Sequence, residues 1–311
     1  MTTLLLTHPD CMDHVTPPGH PEQVARLEET ERALSAPDFG GLLREKAPLA
    51  AEGDLALCHP RAYVEAVRNA APEQGWTALD ADTHMSPGSW QAALRGVGAN
   101  LRAVDQVLGG AAQNAFCAVR PPGHHAETAK PMGFCLFGNV AIAARHALKR
   151  HGLSRVAIVD FDVHHGNGTQ DLLWKEERVL FVSSHQMPLY PGTGAANETG
   201  AHGNILNVPL DPGSDGTVFR AVYEKRILPR LDAFAPELVL ISAGFDAHAA
   251  DPLAQLMLCE EDFAWLTHRL CDVADCHCEG RIVSTLEGGY DLKALAASVA
   301  AHVAVLMERG A

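Results

Sequence analysis

Six short apolar runs, Thr3–Thr7, Ala115–Val119, Val156–Phe161, Val179–Ser183, Leu238–Ser242 and Ile282–Leu286, alternate with stretches of helical periodicity along the 311 residues. Runs this continuously apolar are strands buried on both faces, and the intervening helices supply the crossovers that parallel strands require. The pattern therefore predicts an α/β chain with a parallel sheet covered by helices on both sides. Trp90, Leu94, Val97, Leu101, Val104 and Leu108 mark one such helix, with Ser86 and Pro87 as its expected opening and Gly109–Gly110 as its stop. The same period runs over Val140–His151, Glu260–Val273 and Leu292–Met307, while Pro229 is expected to kink or break a helix that begins near Thr217. No repeat, linker or low-complexity stretch divides the sequence, so a single domain over residues 1–311 is expected.

Composition narrows the function classes. With 47% hydrophobic and 20% charged residues the chain reads as globular. Its 24 Lys+Arg against 38 Asp+Glu give a net charge of −14, which repels nucleic acids and anionic membranes and attracts cations. The N-terminal MTTLLLTHPD lacks the basic and long apolar regions of a signal peptide, and no apolar run approaches the roughly 20 residues of a bilayer span. Eight Cys occur without a CxxC pair in a chain large enough to build a core unaided. A cytoplasmic protein with reduced thiols is expected.

In a parallel α/β sheet, ligands bind beyond the carboxyl ends of the strands. Four of the expected strands end in polar clusters: Arg120-Pro-Pro-Gly-His124-His125, Asp160-Phe-Asp162-Val-His164, Ala243-Gly-Phe-Asp246 and Glu287-Gly-Gly-Tyr290. Asp162 and His164, two apart on a strand end, are expected to leave one face together, with Asp246 joining from a neighbouring strand. Two carboxylates and one imidazole leave a coordination position open, as catalytic zinc sites do, and also admit Fe(II), Co(II) or Mn(II). Strand-end caps and salt bridges are the bland reading of the same residues. His124 and His125 on a Pro-Pro-Gly turn suit an acid/base pair, with Asp160 placed to receive a ring N–H from His124. Tyr290 offers a phenol to a developing oxyanion. For the histidines the alternative is a satisfied core imidazole, and for Tyr290 a packed turn.

The strings RPPGHHAE, MGFCLFGN, DFDVHHGNGTQ, PGTG, ISAGFDAHAADPL and EGGY resemble the zinc-dependent histone deacetylase superfamily, in particular its class II branch and the bacterial deacetylase and amidohydrolase relatives. The resemblance spans nearly the whole chain. It implies an arginase/deacetylase-type fold with a central parallel eight-stranded sheet, and hydrolysis of an acyl-amide at a tunnel floor. By motif match it makes Asp162, His164 and Asp246 the zinc ligands, His125 the main general acid/base, His124 its electrostatic partner and Tyr290 the carbonyl-polarising group. It further places Gly133, Phe134, Tyr190 and Leu253 in the tunnel wall. A structural potassium ion falls to Asp160, Asp162, His164, Ser183 and Ser184. Arg26 matches an arginine near the product channel, although an exposed helix salt bridge is the competing reading.

Two departures bear on selectivity. Asn167 stands where class I members carry an aspartate, leaving His125 with a neutral partner. Leu253 stands where polyamine-selective relatives carry a glutamate. The expected substrate is an acylated primary amine, either a protein lysine or a small molecule such as an acetylpolyamine. An arginase-type ureohydrolase would need a DAHxD-like segment for its second metal, which is absent. A non-catalytic acyl-group reader would have lost a ligand or Tyr290. Cys276-His277-Cys278 follows the helix expected to end near Asp275 and has the wrong spacing for zinc, so a loop or packing role is expected.

Overall fold

The computed structural model describes residues 2–311. Ten strands form: β1 Thr3–Thr7, β2 Leu43–Lys46, β3 Thr77–Ala78, β4 His84–Met85, β5 Asn114–Cys117, β6 Val156–Asp160, β7 Val179–Gln186, β8 Ile205–Leu210, β9 Leu238–Ala243 and β10 Ile282–Leu286. β3 and β4 make a small antiparallel pair. The other eight build one sheet in the order β2-β1-β5-β10-β9-β6-β7-β8, with every pair parallel. The expected fold class is therefore observed. β5, β10, β9 and β6, whose ends carry the four polar clusters, are consecutive in this sheet.

The helices are α1 Ala25–Leu34, α2 Glu52–Leu55, α3 Arg61–Ala70, α4 Ser89–Leu108, α5 Asn139–Arg150, α6 Asn167–Leu173, α7 Gly216–Val222, α8 Leu228–Phe234, α9 Glu260–Cys278 and α10 Leu292–Arg309. α4 and α5 pack together against the sheet, and α1, α9 and α10 form a second packed group. Each central strand is buried along its whole length, which explains why those strands read as unbroken apolar runs.

Several local expectations change. α4 begins at Ser89 with Gly88 before it, because the Ser86 hydroxyl donates to the Asp13 carbonyl instead of capping the helix. Pro229 does not stop the chain's helical path. A π-helical turn over Tyr223–Ile227 joins α7 to α8, and this widened turn accommodates the proline at the start of α8. α9 runs to Cys278, so Cys276, His277 and Cys278 lie in its last turn rather than in a loop. His277 pairs with Asp232 across 3.1 Å. All eight cysteines are free, and no helix among the described residues is long and apolar enough to cross a membrane.

The core also holds histidines in their neutral form. Burial pushes the imidazoles of His59 and His185 down to about 4 and that of His302 to about 3. His302 lies between the hydroxyls of Thr267 and Ser284, at 2.7 and 2.8 Å. A folded-state value below the unfolded one means that only the unfolded chain gains protons as pH first falls. Stability is thus complete above about pH 6.5 and declines as pH drops toward 4, by roughly 2 kcal/mol per buried imidazole at pH 5. Urea unfolding is expected to show a lower midpoint at pH 5 than at pH 7.5, and a midpoint unchanged over that range would contradict it.

Candidate active site

Beyond β6 the chain leaves the sheet, so Asp162 and His164 sit in a loop and not on a strand face as expected. The loop nevertheless brings them together. His164 Nδ1 lies 3.1 Å from Asp162 Oδ1 and 3.1 Å from Asp246 Oδ2. The carboxylates are fixed from behind: the Gly288 N–H donates to Asp162 Oδ2 at 2.8 Å, and the Val163 N–H donates to Asp246 Oδ1 at 2.9 Å. Gly288 is required there, since a Cβ at that position would lie 2.0 Å from Asp246 Oδ2.

The donor set fits a divalent cation. Burial and the neighbouring charge of Asp162 push the Asp246 carboxyl up to about 7, the mark of anions crowded together. Burial opposes a charge on His164, yet the two aspartates push its imidazole up to about 10. The cluster thus demands positive charge, and its ligand atoms lie within 4.8 Å of one another. One nitrogen and carboxylate oxygens are the donors that zinc, iron(II) and cobalt(II) take.

The two histidines of the Pro-Pro-Gly turn are adjacent but differ in environment. His124 Nδ1 pairs with Asp160 Oδ2 at 3.0 Å, as expected from the sequence. Burial disfavours its charged form, but the charges of Asp162 and Asp160 outweigh this and hold the ring well above its ordinary range. His125, stacked at 3.9 Å between ring centres, is driven well below that range by burial and by the charges on His124 and His164.

The tautomer of His125 follows from Asn167. The Asn167 amide nitrogen donates to Glu127 Oε1 at 2.8 Å, which leaves Oδ1 to accept from His125 Nδ1 at 2.7 Å. His125 therefore carries its proton on Nδ1, and its Nε2 presents a lone pair. Among the described residues no hydrogen bond occupies that Nε2.

These groups open into a cavity of about 210 Å³ lined by His125, His164, Tyr290, Gly133, Phe134, Tyr190 and Leu253, together with Asp82 and Leu189. The four expected tunnel residues thus converge. Phe134 meets the Tyr290 ring edge-on at 5.8 Å, and Tyr190 meets His125 at 5.2 Å. Gly133 has φ +55, and a Cβ on it would lie 2.4 Å from the His125 ring. Asp82 escaped the sequence reading because it lies in the β3–β4 connection, far from any strand-end motif. It accepts from the Gly133 N–H at 3.2 Å.

Arg26 is fully buried, which rules out the exposed salt bridge. It donates to the carbonyls of Gly289 at 2.6 Å and Glu287 at 2.5 Å, pairs with Glu22 at 2.9 Å, and lies 4.9 Å from the Tyr290 ring centre. Two further positioning groups went unassigned. Glu287 accepts from the N–H groups of Gly123 and His124, at 2.7 and 3.2 Å. Asp251 accepts from the N–H groups of Tyr290 and Leu253, at 2.7 and 3.0 Å. The expected potassium residues divide. Ser183 lies in register beside Asp160, whereas the Ser184 hydroxyl is bonded to Tyr223 at 2.8 Å.

The sequence and fold match known proteins throughout. The histone deacetylase domain family matches residues 20–306. A histone deacetylase-like amidohydrolase of Pseudomonas aeruginosa is 40% identical over 284 residues, covering 89% of this chain and 74% of the relative. A probable deacetylase of Archaeoglobus fulgidus is 38% identical over 301 residues, covering 94% and 82%. The crystal structure of the HDA15 HD domain superposes with a TM-score of 0.94 at 33% identity, over 99% of this chain and 88% of that one. With this coverage and this fold, the chain belongs to the histone deacetylase family.

Proposed function

We propose that the chain hydrolyses the amide of an acylated primary amine, an acetyl-lysine or a related small-molecule amide, in a metal-dependent reaction. The observation that carries the reading is the convergence at one slot of three ligand side chains, the unoccupied Nε2 of His125 and the Tyr290 phenol. A divalent ion held by Asp162, His164 and Asp246, zinc or alternatively iron(II) or cobalt(II), supplies Lewis acidity and an activated water when bound.

The slot receives the linear acyl-amine stem between Phe134 and Tyr190, with the amide at its floor. His125 Nε2 takes the proton of the attacking water and delivers one to the departing nitrogen, because an amine leaves poorly unprotonated. Asn167 fixes the tautomer for this. Cationic His124, paired with Asp160, lowers the proton affinity of His125 so that this ring stays deprotonated and free to accept a proton, and it stabilises the negative charge that builds nearby. The Tyr290 hydroxyl donates to the carbonyl oxygen as it becomes an oxyanion. The same reading assigns a structural potassium ion to Asp160, Asp162, His164, Ser183 and Ser184, whose oxygens are the hard donors such an ion takes, although the Ser184 hydroxyl is bonded to Tyr223. The residues near Arg26 are the exit side for the released acid in this reading. The acidic surplus of the chain favours a cationic substrate over nucleic acid or an anionic membrane. A cytoplasmic location with reduced thiols belongs to the same reading.

Four variants test the reading. Asp246→Ala is expected to lose the catalytic metal and turnover together, measured by elemental analysis beside an acetyl-lysine peptide assay. Full activity in metal-depleted protein would overturn it. Tyr290→Phe is expected to lower kcat roughly 100- to 1,000-fold with little change in substrate binding. His125→Ala is expected to abolish turnover while still binding metal and a hydroxamate, and loss of metal in that variant would make His125 a ligand rather than the base. Leu253→Glu places a carboxylate in the slot wall and is expected to raise the ratio of acetylpolyamine to acetyl-lysine turnover. An unchanged ratio would mean that the distal amine does not pass Leu253.

A further inference from the structure

A second cluster of metal-ligating side chains lies on the helical layer away from the slot. Asp105 is in the last turn of α4, His146 in the last turns of α5, and His151 is the residue that caps α5. His146 Nε2 lies 2.8 Å and His151 Nε2 2.7 Å from the same oxygen, Asp105 Oδ1. The two rings stand edge to face with centres 5.6 Å apart, so they approach that oxygen from different directions. The three ligand atoms lie within 4.8 Å of one another, as at the catalytic cluster.

The geometry points to a second transition-metal site here, in which Asp105, His146 and His151 bind a divalent ion such as Zn2+ or Ni2+ and clamp α4 to α5. Two imidazoles and one carboxylate on one side of an ion are a borderline-soft donor set, suited to zinc, nickel, cobalt and copper rather than to magnesium or calcium. The nitrogen–oxygen separations need open by only about half an ångström for each atom to reach the roughly 2.0–2.2 Å of a metal bond.

Local electrostatics also asks for a cation. The C-terminal end of a long helix carries partial negative charge, and α4 has no basic residue in its last turn, only Asp105 with the wrong sign. Hydrogen bonds from His146 and His151 offset the effect of burial and hold the Asp105 carboxyl below its usual range, so it is an anion ready to ligate. Arg102 on the same helix is already paired with Glu45 at 2.7 Å. Lys149 and Arg150 close the last turn of α5 and line the same surface cleft as Asp105 and His146, a space of about 750 Å³. They disfavour a bare ion drawn by charge alone. They favour binding through coordination, with water or a small anion in the remaining positions. The side chains of His146 and His151 are 13% and 25% exposed, enough to admit an ion from solvent while keeping the rings fixed.

The site is separate from the slot and independent of the hydrolytic reading. Purified full-length chain dialysed against micromolar Zn2+ is expected to hold two equivalents by elemental analysis. His146→Gln/His151→Gln is expected to hold one and keep wild-type turnover, whereas Asp246→Ala is expected to keep the second equivalent while losing the first. The melting temperature of the wild type is expected to rise further on saturating the second site, that of the double variant is not, and Mg2+ is expected to produce neither effect. A wild type that stops at one equivalent, a double variant that retains two, or equal binding of Mg2+ would each overturn the assignment and leave Asp105 with plain hydrogen bonds to its two histidines.

Discussion

The site depends on burying anions at the ends of adjacent strands. Asp160, Asp162, Asp246 and Glu287 are all fully buried, and their strands β6, β9 and β10 lie side by side. Removing a carboxylate from water costs about several kcal/mol per ion even after relaxation. The fold offsets this with directed donors: the N–H groups of Gly288, Val163, Gly123 and His124, and the imidazoles of His124 and His164. What these donors leave uncompensated is negative, and it shows at Asp246, whose carboxyl is pushed up to about 7. The cluster of ligand-type side chains is therefore a consequence of how the strand ends are packed, and a bound cation would offset the charge of the loops that form it.

A second layer of charge supports the first from below. Glu22 is fully buried between Arg26 and Arg120, with His14 3.4 Å from its other oxygen. Burial would raise the Glu22 carboxyl, but the two guanidinium groups and His14 hold it well below its usual range, so this network is ionised. Arg26 spends its remaining donors on the Glu287 and Gly289 carbonyls, which ties the network to the backbone that presents Tyr290. Arg120, the first residue of the Pro-Pro-Gly turn, ties it also to the histidine pair. One buried glutamate thus links, through two arginines, the segment after β5 that carries His124 and His125 to the segment after β10 that carries Tyr290.

What the sequence revealed follows this division. The central strands and the strand-end clusters were legible, because burial on both faces leaves an apolar run and chemistry collects at its end. The two edge strands were not. β2 reads Leu-Arg-Glu-Lys and is mostly exposed, and the apolar run of β8, Ile-Leu-Asn-Val-Pro-Leu, is interrupted by Asn207 and by Pro209, a residue that argues against a strand inside a sheet, so neither reads as a buried strand. At the site, the proposed ligand and acid/base residues sit in contiguous strings, whereas Asp82 and Glu22 act from connections whose position depends on the assembled fold. Glu287 stood within a visible string, but its task, holding the N–H groups of Gly123 and His124, is a contact between chain segments 163 and 164 residues apart that no local pattern encodes.

That same division bears on where selectivity resides. The floor of the slot is built from strand ends and fixed by buried charge, so it has little freedom to vary without leaving a buried carboxylate or imidazole unpaired. The wall is different. Gly133 and Phe134, both with positive φ, Tyr190, which is 40% exposed, Leu253 and Asp82 come from four separate loops. Backbone ties from Gly133 to Asp82 and from Leu253 to Asp251 link two of those loops to buried or partly buried carboxylates. Gly133 is held by its φ of +55 and by the His125 ring, whereas changes at Tyr190, Leu253 or Asp82 alter the shape and charge of the entrance at small cost to the fold, and Asp82 is the carboxylate among the described wall residues. A floor fixed by the sheet beneath a wall made of loops leaves the entrance as the part that can vary while the buried cluster stays unchanged.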